Sequence, residues 1–153
     1  MQEQSASRRE RSRPAPSILR LTLPLPPSIN EQYATIAGHR VNTPIARRFK
    51  QQVRAILRSL EQQGTLHEAL RQQFRQSYLA LFLDFYFTTP LKRDLDGGLK
   101  ITQDALCESL GLNDNRVVDV HLTKHIDPLH PHLYVELEAL PDWRFDQEYV
   151  LLS

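Results

Sequence analysis

Residues 78–87 read YLALFLDFYF, and this run decides the fold. Its aromatic and aliphatic side chains favour a pleated strand, and the near absence of polar residues predicts a central strand covered on both faces, with Asp84 the exception. Downstream, Thr88 to Arg93 reads as a loop. A helix is then predicted from about Gly97 to Leu110, burying Leu99, Thr102, Leu106 and Leu110, with Gly111 placed to end it. Val117 to Ile126 and His132 to Leu140 read as two further strands, joined by a proline-containing turn over 127–131. Upstream, Ile18 to Leu23 reads as a strand stopped by Pro24, Pro26 and Pro27. Ser28 to Thr43 reads as a loop or irregular hairpin around Gly38. Thr43 can then cap a helix that has Pro44 at its first position. Ile45, Phe49, Val53, Ile56, Leu57 and Leu60 recur at helical spacing and predict its apolar stripe, which fades at Gly64. Leu66 to Phe74 predicts a shorter amphipathic piece. The order β–α–β–α–β–β predicts a single α+β domain, a mixed sheet with helices packed on one face.

Length and composition agree with this. The chain has 153 residues, 41% hydrophobic and 24% charged, which suits one globular domain. Residues 1–16 hold no Leu, Ile, Val or aromatic side chain and are expected to be a disordered basic tail. The domain is expected over 17–142, followed by a tail at 143–153. The longest clean apolar run, Leu79 to Leu83, is far too short to span a bilayer, and the N-terminus lacks the apolar core of a secretory signal. A single cysteine, Cys107, excludes an intramolecular disulfide framework and fits a reducing cytoplasm.

Charge is distributed unevenly. Between Arg40 and Arg93 stand ten Lys/Arg and three acids, a net of +7; between Asp94 and Ser153 stand four bases and twelve acids, a net of −8. Such a split suggests a basic surface for an anionic partner beside an acidic region able to hold cations.

The chemistry concentrates in RDLDGGLK, Arg93 to Lys100, and in Asn113-Asp114-Asn115. In an extended segment, Asp94 and Asp96 point to the same side and Leu95 to the other. Paired carboxylates repel unless a cation neutralises them, and hard oxygen donors of this kind suit magnesium. Asp114 stands in the turn before the next strand, where the chain is expected to return to the same end of the sheet. Lys100 falls in the first turns of the helix, within reach of a phosphate. Plainer roles exist for each residue. Asp96 can be the helix N-cap, Asp114 an ordinary turn residue, and Lys100 can pair with Asp104 four residues on.

Taken together, these residues resemble the RusA-type Holliday junction resolvases, small dimeric endonucleases that cut four-way DNA junctions. The resemblance runs from Leu21 to Leu140. PPSIN, Pro26 to Asn30, is similar to the family's proline-proline-serine loop, and RDLDGGLK to its Arg-Asp-Leu-Asp-Asn block followed by a lysine. Asp104-Ala105-Leu106, Gly111, Asp114 and Val117-Val118-Asp119 follow in the family's order. The resemblance implies a RusA-like fold, metal binding by Asp94, Asp96 and Asp114, and catalysis by these three with Lys100. It further implies Mg2+-dependent phosphodiester hydrolysis by a homodimer on a four-way junction, in recombination and repair. Two positions depart from the pattern: Gly97 stands where the family usually has asparagine, and Asn113 where it often has an acid. The alternative within the family is a protein that binds branched DNA but cuts weakly. Asp94-Leu95-Asp96-Gly97 also resembles the start of the haloacid-dehalogenase phosphatase motif, but that family needs a strand running directly into the first aspartate.

Phosphate contacts dominate affinity for DNA. Arg47, Arg48, Lys50 and Arg54 on the first long helix, Lys92 and Arg93 beside the acids, and Asn30 in the proline loop are the candidate DNA contacts. The aromatic residues of 78–87 are expected in the core, and Cys107 as a small buried hydrophobe.

Overall fold

The computed structural model describes residues 17–91 and 93–147. Six strands and four helices follow in chain order: β1 (Ile18–Leu23), α1 (Ile29–Gln32), β2 (Tyr33–Ile36), β3 (His39–Asn42), α2 (Pro44–Gln62), α3 (Glu68–Gln76), β4 (Tyr78–Phe87), α4 (Leu99–Leu110), β5 (Val117–Ile126) and β6 (His132–Leu140). A 3₁₀ turn, Asp114–Arg116, precedes β5. The main sheet has the order β1-β6-β4-β5. β6 runs antiparallel to both neighbours, while β4 and β5 are parallel, as a strand–helix–strand crossover through α4 requires. The fold is therefore α+β with a mixed sheet, as the element order predicts.

One face of the sheet carries the core. Leu19, Leu21 and Leu23 of β1, Leu79, Leu81, Leu83, Phe85 and Phe87 of β4, and Leu133, Val135 and Leu137 of β6 are buried against the helices. α2 contributes Ala46, Phe49, Val53 and Leu57. Ile56 and Leu60 pack against this core as expected, and the stripe departs from expectation only at its start, where Ile45 is exposed and Ala46 lies at the contact in its place. Thr43 caps α2 by accepting from the Ala46 amide at 3.2 Å, with Pro44 following. Gly64 and Gly111 both take positive φ where the helices end.

β4 departs from expectation in one respect. It is covered on one face rather than two: Phe82, Asp84 and Tyr86 alternate with the buried residues and lie half-exposed on the open face. There Phe82 stacks on His121, and Tyr86 stacks between His125 and His132, with centroids 4.3–4.6 Å apart. His125 Nε2 meets Asp84 Oδ1 at 3.0 Å. Of the aromatic run, Phe85 and Phe87 are core and the others are not. Downstream of β6, Phe145 packs edge-on against Tyr78 at 5.2 Å; residues 1–16 and 148–153 lie outside the described residues.

Candidate active site

The chain leaves β4 at Phe87 and reaches α4 through a loop that is not extended at its acidic end. Gly97 N–H donates to the Asp94 carbonyl at 3.3 Å, and Leu99 N–H to the Asp96 carbonyl at 3.1 Å, so 94–99 forms two overlapping turns. The helix begins at Leu99, two residues later than expected. Its N-cap is Gly98, which makes no side-chain cap bond, so Asp96 is not spent on capping.

The proline loop interlocks with these turns. Gln32 is buried and donates through Nε2 to the carbonyls of Pro27 at 2.9 Å and Gly97 at 2.7 Å. The Arg93 guanidinium donates to the Pro26 carbonyl and lies 5.3 Å from the centroid of the Phe87 ring. Burial lowers the Arg93 pKa, opposed by the charge of Glu31. Lys124, reaching across from β5, donates to the carbonyls of Arg93 at 2.8 Å and Pro90 at 3.3 Å. Gly98 sits directly under the Pro26 ring; a Cβ there would collide with Pro26 Cγ and come within 3.2 Å of Phe85. A Cβ at Gly97 would meet only the Asp94 carbonyl, at an ordinary 3.5 Å. Gly98 is therefore what lets the two loops touch.

On this frame Asp94 and Asp96 are exposed, and neither carboxylate has a hydrogen bond or ion pair among the described residues. Lys100 does pair with Asp104, at 3.3 Å. That carboxylate raises the Lys100 pKa above its ordinary value, with smaller contributions from Tyr33 and Asp114.

Asp114 lies elsewhere. Because β4 and β5 are parallel with Leu79 opposite Val117, the turn before β5 is at the end of the sheet where β4 begins, and 94–98 is at the end where it finishes. The expected return to the same end does not occur. Asp114 instead lines an open groove of about 430 Å³ with Asp104, Cys107, Glu108, Leu112 and Asn113. Those helical residues stand five to nine positions into α4, roughly 10 Å along the axis at about 1.5 Å per residue. Gln103 Nε2 reaches the Asp114 carbonyl at 3.4 Å, and Asn113 Oδ1 accepts from the Asn115 amide at 3.1 Å. Burial, then the neighbouring carboxylates, pushes the Cys107 thiol up to about 11, so it carries no thiolate chemistry near neutral pH. Among the described residues, no three His, Cys, Asp or Glu side chains of one chain gather closely enough to hold a metal ion.

The basic candidates divide. Arg48 and Arg54 are exposed on α2 and have no partner among the described residues, whereas Lys50 pairs with Glu108 at 3.1 Å and Arg47 donates to the Asn42 carbonyl at 2.7 Å. Asn30 is exposed on α1. Arg93 is held by the proline loop, and Lys92 lies outside the described residues.

A family model, endodeoxyribonuclease RusA, matches residues 24–138, well over half of the chain. The chain belongs to the RusA endodeoxyribonuclease family. The match takes in the proline loop, the acid loop and Asp114 together. No curated protein matches the chain. The RusA fold also removes the phosphatase alternative, since β4 stops at Phe87 and a loop separates it from Asp94. No helix among the described residues is long and apolar enough to cross a membrane. Two residues that organise this RusA site escape a reading of the sequence: Gln32 and Lys124. No local signal marks Gln32, whose acceptors are the Pro27 carbonyl five residues back and the Gly97 carbonyl 65 residues on.

Proposed function

We propose that this RusA-family chain is a magnesium-dependent endonuclease that resolves four-way DNA junctions as a homodimer, in the cytoplasm, during recombination and repair. The observation that carries the reading is that, among the described residues, Asp94 and Asp96 have no partner at the exit of the central strand, on a loop that is tied at several points. Unpartnered carboxylate oxygens suit a hard cation that takes one or two carboxylates and completes its shell with water and substrate phosphate. Asp94 and Asp96 would hold the ion; Asp114, the third acid that the family resemblance implies, stands at the other end of the sheet within one chain and would have to reach the ion from the second copy in the homodimer. When bound, magnesium supplies Lewis-acid activation of water and neutralises charge at the leaving 3′ oxygen.

The chain's own residues do the rest. Lys100, drawn toward Asp104 and Asp114, offers an ammonium to the charge on the scissile phosphate. Arg48 and Arg54, with Arg47, Lys50, Lys92, Arg93 and Asn30, guide the polyanion to the acid loop. A two-fold homodimer matches the approximate symmetry of a junction and sets two acid loops on opposing strands. The expected products are nicks bearing 5′-phosphate and 3′-hydroxyl ends. Asp94→Asn and Asp96→Asn should each lower cleavage at least about a hundredfold while leaving junction binding within about threefold. Cleavage by Asp94→Asn at the wild-type rate would refute the assignment.

The weak-cutting alternative predicts junction binding without nicks in magnesium. Its sequence motive was Gly97, where the structure shows room for a side chain and no positive φ.

A further inference from the structure

Strands β2 and β3 form a two-stranded sheet of their own, apart from the main one. Residues 34–40 are all exposed, and Ile36 at the tip is 63% exposed. Ala37 and Gly38 both take positive φ, 51° and 80°, as a tight primed turn requires. An isolated hairpin is marginal in water, but this one is anchored at its base. Thr43 N–H donates to the Gln32 carbonyl at 3.0 Å and the Thr43 hydroxyl to the Glu31 carbonyl. The Arg40 guanidinium lies 4.0 Å over the Tyr33 ring. Gln32, which opens the hairpin, is the residue that bonds the Gly97 carbonyl, so the arm and the acid loop share one frame.

Between the flanking acids Glu31 and Glu61 this region is basic. From Gln32 to Leu60 there are six Lys/Arg and no acid. An exposed aliphatic tip flanked by His39 and Arg40 is the composition that inserts an apolar wedge at a base step while cations hold the phosphates. A two-stranded ribbon is also narrow enough to enter a DNA groove. A second copy of the chain is the poorer occupant, because arm-to-arm packing across a two-fold sets Arg40 and the basic α2 against their own copies.

We infer that the β2–β3 hairpin is the arm by which this chain recognises the branch point, with Ile36 entering the opened junction and Arg40 on a flanking phosphate. This deepens the endonuclease reading and rests on it. The test uses the full chain without magnesium, a fluorescent four-way junction carrying 2-aminopurine at the branch, and a linear duplex of matched sequence. Ile36→Asp should weaken junction binding about tenfold, change duplex binding less, and abolish the 2-aminopurine response, while Ile36→Met keeps all three. Arg40→Gln should lower the slope of log affinity against log salt by about one. Melting midpoints within about 4 °C of wild type exclude unfolding as the cause. Wild-type junction affinity and 2-aminopurine response in Ile36→Asp would overturn the inference. So would a change from dimer to monomer, which would assign the tip to a second copy. Those failures occur in a wild-type protein that still cuts junctions; a wild type that neither binds nor cuts them would sink the endonuclease reading with it.

Discussion

The two ends of the β4–α4–β5 unit are built to different standards. At the exit of β4, the loop bearing Asp94 and Asp96 has the carbonyls of Pro90, Arg93 and Gly97 occupied by Lys124 and Gln32, while Arg93 and Gly98 lock it to the proline loop. At the entry to β5, Asp114 sits in an exposed 3₁₀ turn whose own bonds are local, the Asn113 cap and the Arg116 amide on the Asn113 carbonyl, with a long contact from Gln103 and one distant tie, Arg116 Nε to the Ser77 carbonyl at 3.1 Å. The difference teaches where precision is needed. The backbone that carries Asp94 and Asp96 is fixed from three separate segments, the rigidity that a preformed binding site requires. Asp114 lines an open groove and is not tied to the frame that holds the acid loop.

The comparison can be broken most directly at its glycines. Gly98→Ala should destabilise the protein by about 2–3 kcal/mol, because the new methyl is driven into Pro26. Gly97→Ala, one residue earlier, should stay within about 0.5 kcal/mol. Urea unfolding checks both, and equal costs would mean that the proline contact is not tight. Next, Gln32→Leu should cost about 1–3 kcal/mol by leaving the carbonyls of Pro27 and Gly97 without their donor. It should lower the cleavage rate more than its effect on binding, since the acid loop loses its frame.

The smallest effect concerns pH. Asp104 raises the Lys100 pKa, so the ammonium persists to higher pH than an isolated lysine would. The stabilisation this pairing gives is present below the ordinary lysine pKa and lost as pH rises through the raised value. In Asp104→Asn the alkaline fall of cleavage should therefore begin at lower pH, with the acidic limb unmoved. An unchanged alkaline limb would detach Lys100 from the rate.

Much of this was legible in the residues. The helix opening at Thr43-Pro44 follows from local chemistry, and the motif order from RDLDGGLK to Asp114 pointed to the family that the chain proves to belong to. What escaped depends on distant partners. Nothing near Gln32 in the chain shows that it will be buried under the acid loop, and Lys124 meets its acceptors across 31 and 34 residues. The 78–87 run looked covered on both faces because its open face is also aromatic, satisfied by histidines of β5 and β6 rather than by helices. Two acids spaced i,i+2 imply a shared side only in extended backbone, and here overlapping turns intervene. Whether Asp114 shares their end depends on strand direction, and the parallel pairing of β5 with β4 puts it at the other.

The most direct measurement is cleavage of a synthetic four-way junction, compared with a linear duplex of the same sequence, with and without magnesium. The account predicts paired nicks at symmetric positions on the junction alone, dependent on the metal and lost in Asp94→Asn. A wild-type protein that binds the junction in magnesium and leaves every strand intact would contradict it.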